Sequence, residues 1–314
     1  MLGANAANGP SVSWGMRRWL ASVVVILAMV GGPLVLPSSA SPTANRPYGL
    51  KVPAGYDAGH PAPLVVLLHG YTADGERQAA YFGLPAEADK AGFLLATPNG
   101  TRDLMGNRFW NATDACCDWF HTGVDDVAYI DAVIDEITAR YAVDPARVFV
   151  VGHSNGAFMA NRYACDRSSR VAAIVALAGM QWKDQSHCRP TSPVSVLHVH
   201  GRNDETVKYD GGTMPNGAFY PGAVETVDDW AKQNGCNGSL ASTGRRFDLE
   251  RLIAGDETGE EAYTGCPAGT DLQLWTIERG GHVPAFNEHW AEAIWAFMAN
   301  HPKVANRSPA PSPS

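Results

Sequence analysis

The segment Gly152-His153-Ser154-Asn155-Gly156 sets a serine between two glycines at a spacing that suits nucleophilic chemistry. A serine hydroxyl attacks a carbonyl only when a neighbouring base takes its proton and a carboxylate fixes the base's tautomer. Val148 to Val151 read as a buried strand and Ala157 to Ala164 suit a helix, so Ser154 falls on a sharp strand-to-helix turn. Such a turn forces φ into an unfavourable region and holds the hydroxyl proud of the sheet. Gly152 and Gly156 remove side chains that would collide in the turn. The Asn155 N–H, at the helix start, then faces the substrate side. The pentapeptide alone also fits an ordinary glycine-rich turn; the strand before it and the helix after it favour the elbow.

A base and an acid follow in the chain. Asp204 ends His200-Gly201-Arg202-Asn203-Asp204, directly after the apolar run Val194 to His200, and His282 ends Gly280-Gly281-His282, after Asp271 to Ile277. Serine, acid, histidine is the chain order of one known triad arrangement. His121, His153, His187, His198, His200 and His289 compete for the base role, but His282 alone lies in a flexible loop after the last core strand. Asp210 is the rival acid. The buried run Leu64 to Leu68 ends at His69-Gly70-Tyr71, and a glycine there lets the chain turn and leave the Tyr71 N–H exposed as a second oxyanion donor beside Asn155. His69 itself reads as a satisfied structural histidine. Trp110 and Trp119 lie in a long loop from Arg102 to Gly123, and loops of that length in a compact domain are usually functional. With Trp182 they are the candidate substrate-binding aromatics. The alternative is a loop folded back on its own rings.

These residues need a frame that brings strand ends together. Leu64 to Leu68, Phe93 to Thr97, Val148 to Val151, Val171 to Ala178, Val194 to His200 and Asp271 to Ile277 are continuous apolar runs, as expected of strands buried on both faces. Helical patterns separate them: Asp74 to Ala91, interrupted near Gly83-Leu84-Pro85; Val124 to Tyr141, with Asp125 and Asp126 as caps or dipole partners; Gly222 to Gly235; and Glu288 to Asn300. Pro47 to Pro53 reads as a short edge strand, and Arg245 to Thr264 as an acidic, antiparallel excursion. The whole is a single α/β domain with a mostly parallel central sheet flanked by helices and no large cap domain. Ligands in such sheets bind beyond the carboxyl ends of the strands, where Ser154, Tyr71 and Asp204 fall.

The composition agrees with an exported globular protein. Of 314 residues, 45% are apolar, enough for a sizeable core, and the formal charge of −8 gives no basic patch and argues against a nucleic-acid partner. Arg17 and Arg18, the apolar segment Trp19 to Val30, then Gly31-Gly32-Pro33 and Ser38-Ser39-Ala40 make a secretory signal with cleavage expected after Ala40. That apolar core is shorter than the ~20 residues a spanning helix needs, so no stable membrane anchor is expected. Residues 1–40 are thus read as extension and signal, 41–302 as the catalytic domain and 303–314 as a disordered Pro/Ser-rich tail. The cysteines are Cys116, Cys117, Cys165, Cys188, Cys236 and Cys266, an even set that defaults to disulfides in an oxidising compartment. Proximity favours Cys165 with Cys188 and Cys236 with Cys266, leaving Cys116 and Cys117 bridged or reduced. No metal-ligand spacing accompanies them. The oligomeric state is not legible.

Leu68-His69-Gly70, Ala115-Cys116-Cys117-Asp118-Trp119, Val124-Asp125-Asp126-Val127, the Ser154 elbow, His200 to Asp204 and Gly280-Gly281-His282 together resemble the secreted polyhydroxybutyrate-depolymerase-like esterases, relatives of feruloyl and acetylxylan esterases. The resemblance spans about Tyr48 to His301. It implies an α/β-hydrolase with Ser154, Asp204 and His282 as its triad, no metal or organic cofactor, and feruloyl or acetyl esters of plant polysaccharide or short polyhydroxyalkanoate chains as substrates. Val283-Pro284 departs from the Thr-Trp-Pro that many relatives carry after the histidine. The alternatives are a non-catalytic polysaccharide-binding protein of the same fold, or a peptidase or thioesterase using the same residues.

Overall fold

Alternation of large apolar side chains builds two cores on one sheet. In the computed structural model, which describes residues 43 and 45–304, the strands are β1 (Gly49–Lys51), β2 (Ala62–Leu68), β3 (Leu94–Thr97), β4 (Thr101–Arg102), β5 (Arg108–Phe109), β6 (Val143–His153), β7 (Ala173–Leu177), β8 (Ser195–Gly201), β9 (Gly212–Thr213), β10 (Phe219–Tyr220), β11 (Leu240–Phe247), β12 (Thr258–Tyr263) and β13 (Leu272–Ile277). The helices are α1 (Gly75–Phe82), α2 (Leu84–Ala91), α3 (Asp126–Arg140), α4 (Asn155–Asp166), α5 (Ala223–Asn234) and α6 (His289–Asn300). Nine strands form the main sheet in the order β1-β3-β2-β6-β7-β8-β13-β12-β11. From β3 to β13 every pairing is parallel, while β1 at one edge and β12 and β11 at the other are antiparallel.

Along β2, Leu64, Val66 and Leu68 face one core with α3, α4 and α5, and Val65 and Leu67 face the other with α1, α2 and α6. A strand covered on both sides has no polar face, which is why β2, β7, β8 and β13 are buried along their whole length. The break expected near Gly83 is present: Gly83 sits at φ 68°, ends α1 through its N–H to Ala80, and is followed by Pro85 in the first turn of α2.

Disulfides join Cys116 to Cys117, Cys165 to Cys188 and Cys236 to Cys266. The second ties the end of α4 to the segment before β8, and the third ties the end of α5 to the segment before β13. The signal expected in residues 1–40 lies outside the described residues, as do residues 305–314 of the expected tail. The tail boundary at 303 is corrected: Lys303 is anchored, its N–H donating to Ala146 (2.7 Å) and its ammonium to the carbonyls of Ser168, Val171 and Pro193. Burial lowers that ammonium to about 8. Among the described residues, no helix is long and apolar enough to cross a membrane.

Candidate active site

Backbone contacts dictate the elbow. Ser154 has φ 55° and ψ −122°, a conformation a non-glycine residue holds only when its surroundings impose it. The Ser154 N–H is tied to Leu177 of β7 (2.8 Å) and its carbonyl starts α4. A Cβ at Gly152 would stand 2.1 Å from the Gly156 carbonyl oxygen, and one at Gly156 would stand 2.2 Å from that of Leu68. Both glycines are therefore demanded by close approach, one inside the turn and one against the end of β2.

Two other strand ends bring the partners in. His282 Nδ1 lies 2.7 Å from Asp204 Oδ2, and His282 Nε2 lies 2.9 Å from Ser154 Oγ. With the Nδ1–H donating to the carboxylate, the Nε2 lone pair faces the serine hydroxyl, the tautomer a general base requires. The loop carrying His282 reaches the end of β8 because position 201 has no side chain: a Cβ there would be 2.4 Å from the Gly280 carbonyl oxygen. Further contacts hold that loop, since His153 Nε2 donates to the His282 carbonyl (3.0 Å), Tyr81 Oη to the Pro284 carbonyl (2.8 Å), and the Ala285 N–H to buried Glu250 (2.7 Å). Burial, with His282 nearby, pushes His153 down to about 4, so it is neutral here. Asp204 is buried; its Oδ1 accepts the N–H groups of Thr206 (2.8 Å) and Val207 (2.9 Å). Burial works to raise this carboxyl, but the contacts from His200 and His282 and the Val207 N–H outweigh it and hold it far below the usual carboxylate range. The rival Asp210 is exposed, and the carboxylate that His282 contacts is that of Asp204.

The Asn155 N–H belongs to the first turn of α4 and has no intrahelical partner. Of the N–H groups of Gly70, Tyr71 and Thr72, that of Gly70 donates to Gln78 (3.2 Å) and that of Thr72 to Arg108 (2.9 Å), leaving Tyr71 between them without a partner among the described residues. Gly70 brings this turn beside the elbow, within 3.5 Å of Ser154 Cβ from the place a Cβ would take. A cleft of about 300 Å³ opens here, lined by Tyr71, Tyr81, His153, Ser154, His282 and Val283 among others. A hollow of about 440 Å³ between β11 and α6 contains none of the candidate residues.

The aromatic candidates part company. Trp119 is half-buried and packs edge-on against Tyr71, ring centres 6.5 Å apart, which puts it beside the cleft. Trp110 is corrected: it is fully buried, its Nε1 donates to the His69 carbonyl (2.9 Å), and its ring stacks on Tyr129, so no face is open to substrate. Trp182 stacks on His187, 4.8 Å between centres, and does not line the Ser154 cleft. His69 is structural, its Nδ1 2.8 Å from the Gly70 carbonyl and its Nε2 accepting from Gly100 (2.9 Å).

Several side chains around the site make contacts that the sequence did not indicate. The Asn155 side chain clasps the Trp110 backbone, accepting from its N–H (2.7 Å) and donating to its carbonyl (2.9 Å). Asp126, expected as a cap or dipole partner, lies in the first turn of α3 and is also a buried acid paired with Arg46 (2.7 Å) that accepts the Asn111 N–H (2.7 Å). Asp125 alone is the cap, accepting from Ala128 (2.9 Å). Asp103 accepts the Tyr71 hydroxyl (2.6 Å), tethering Tyr71 to the β4–β5 hairpin. Only the Asp125-Asp126 pair carried a signal for any of these in the sequence.

A mostly parallel sheet with a serine elbow after its central strand defines the α/β-hydrolase class. Acetyl xylan esterase from Aspergillus awamori shares the fold at a TM-score of 0.55, with 18% identity, 80% of this chain covered and 93% of that one. A family model described as Esterase PHB depolymerase matches residues 46–226, and the chain belongs to that family. Feruloyl esterase B of Piromyces equi is 28% identical over 241 residues, 74% of this chain and 42% of its own length. Putative esterase NocK of Nocardia uniformis subsp. tsuyamanensis is 30% identical over 233 residues, 70% of this chain and 65% of its own length. The chain thus spans between two fifths and two thirds of these relatives.

Proposed function

We propose that the protein is a secreted serine carboxylesterase, with Ser154 as nucleophile, His282 as base and Asp204 as orienting acid. The observation that carries the reading is the unbroken contact series Asp204 Oδ2 to His282 Nδ1 (2.7 Å) and His282 Nε2 to Ser154 Oγ (2.9 Å) at the mouth of a cleft. Ser154 Oγ bonds to the ester carbonyl carbon as His282 Nε2 takes its proton. The carbonyl oxygen becomes an oxyanion facing the N–H groups of Tyr71 and Asn155, and the imidazolium is held by the Asp204 carboxylate. Collapse breaks the C–O bond to the alcohol, which leaves with the proton from His282. Water, deprotonated by His282, then attacks the acyl-enzyme and returns Ser154 and the acid product.

For the substrate, esters of plant polysaccharide come first and short polyhydroxyalkanoate chains second. The names of the relatives and of the structural neighbour, feruloyl esterase and acetyl xylan esterase, support that order, as does the aromatic pair Tyr71 and Trp119 beside the cleft. The secretory signal read in residues 1–40 supports action outside the cell. The test is a panel of p-nitrophenyl acyl esters, methyl ferulate, acetylated xylan and hydroxybutyrate oligomers at equal enzyme concentration, run beside Ser154→Ala. Turnover of methyl ferulate or acetylated xylan above the hydroxybutyrate oligomers, lost in the variant, is the expected result; the reverse ranking would place polyester first, and no Ser154-dependent turnover of any ester would end the reading.

A further inference from the structure

Two histidines behind the acid have no place in the mechanism above. His198 and His200, both on β8 and both fully buried, stack with ring centres 5.4 Å apart. His200 Nε2 lies 2.7 Å from the Val207 carbonyl oxygen and 3.3 Å from Asp204 Oδ2, the same oxygen that His282 engages. Its Nδ1 lies 3.2 Å from His198 Nε2. A carbonyl oxygen only accepts, so the contact to Val207 assigns the His200 proton to Nε2. With both rings neutral, His200 Nδ1 is a lone pair that accepts the His198 Nε2–H, and His198 Nδ1, without a partner among the described residues, is the bare nitrogen. The protons of this pair then run in one direction, from His198 to His200 and from His200 toward Val207 and Asp204.

We propose that His200 is a positioning residue for the acid: its Nε2–H, divided between the Val207 carbonyl and Asp204 Oδ2, fixes the carboxylate rotamer and shares its negative charge with His282. The proposal rests on the serine-esterase reading. Its consequence concerns the base. A carboxylate whose charge is partly taken by a second donor pulls less on the His282 proton, so removing that donor should tighten its hold on the imidazolium. The other titratable or charged groups around this shell are His153, 5.2 Å from His282 between ring centres; Tyr209, edge-on to His200 at 5.7 Å; and Arg202, 3.9 Å from the Tyr209 ring centre. Glu261 and Glu278 are near enough to Tyr209 to raise its hydroxyl. Among the described residues, His200 is the one side chain besides His282 that brings a ring nitrogen to the Asp204 carboxylate.

The experiment replaces His200 by Phe, by the smaller Leu in case Phe overpacks β8, and by Gln, whose amide restores a donor. Each variant is followed by its pH profile of kcat/KM and by its pH-dependent rate of Ser154 labelling with a fluorophosphonate. Folding is checked by thermal melting. In the Phe or Leu variant, kcat is expected to fall about ten- to a hundredfold with KM nearly unchanged. The acid limb of both profiles should move up by on the order of one pH unit, and Gln should recover most of both effects. A purely structural His200 would lower the melting temperature and leave the acid limb in place; that outcome, or a limb that moves down, overturns the proposal. The labelling arm separates the two levels of argument, because a protein whose Ser154 is never labelled refutes the esterase reading, whereas labelling with an unmoved limb refutes only the role of His200.

Discussion

Gly156→Ala isolates the geometry on which catalysis depends here. The added Cβ would sit 2.2 Å from the Leu68 carbonyl oxygen, 2.6 Å from its carbon and 2.7 Å from the His69 oxygen. Non-bonded carbon and oxygen need roughly 3.5 Å, so α4 and the end of β2 must separate by about 1 Å, with only backbone there to give way. Gly156 does not have a positive φ, so the change adds no dihedral strain and acts through this separation alone. The separation divides the two proposed oxyanion donors, since Asn155 moves with α4 and Tyr71 with β2. A displacement of about 1 Å costs roughly 10² in rate, and losing one donor costs about 10² to 10³. We expect kcat for p-nitrophenyl acetate to fall by about that range with KM changed less than threefold, and stability to fall by about 1–3 kcal/mol from overpacking. Stopped-flow kinetics and thermal melting measure both. A kcat within threefold of the parent would refute the claim that the β2 end and the start of α4 jointly form the oxyanion site.

Further outcomes follow from other contacts. Trp119→Ala should raise KM for methyl ferulate several-fold, from the roughly 0.5–1.5 kcal/mol of a lost aromatic contact, and change p-nitrophenyl acetate kinetics less than twofold; equal effects would make the loop purely structural. Asp126→Ala leaves Arg46 without its buried partner and frees the Asn111 N–H, so urea unfolding should show a loss of about 3–5 kcal/mol; a loss under 1 kcal/mol would contradict the role assigned to the pair. Burial first, then nearby positive charge, pushes His69 and His153 down to about 4, and burial lowers His198 further. The unfolded chain therefore binds more protons than the folded one below about pH 6.5, and stability should fall as pH drops from there toward 4. Asp204, depressed in the fold, adds a loss only below about pH 3.9. Denaturant midpoints that stay flat between pH 7 and 4.5 would show that these histidines charge freely in the folded state.

What was legible in the sequence was what depends on local pattern. Apolar runs marked strands buried on both faces, and glycines marked the elbow and the Gly83 break, because those signals lie within a few residues of their effect. Ser154, Asp204 and His282 could be named because each directly follows such a run, and a parallel sheet gathers those ends. What escaped was pairing across the chain. Trp110 and Trp119 look alike in one loop, yet Trp110 goes into the core because its N–H finds the His69 carbonyl, 41 residues away. Asp126 sits in the first turn of α3, where a dipole partner belongs, but nothing local shows that Arg46, 80 residues earlier, draws it into an ion pair. His200 lies four residues from Asp204, and nothing in that spacing tells which side of the β8 end its ring takes.

The central claim is that Ser154 carries the acyl group between the two halves of the reaction. The direct measurement is an acid quench of the enzyme during turnover of a slow p-nitrophenyl ester, followed by intact mass and peptide mapping. The account predicts one acyl adduct on the peptide containing Ser154, absent from Ser154→Ala, whose turnover should fall by at least 10³. An adduct on another residue, or a Ser154→Ala protein within tenfold of the parent, would contradict it.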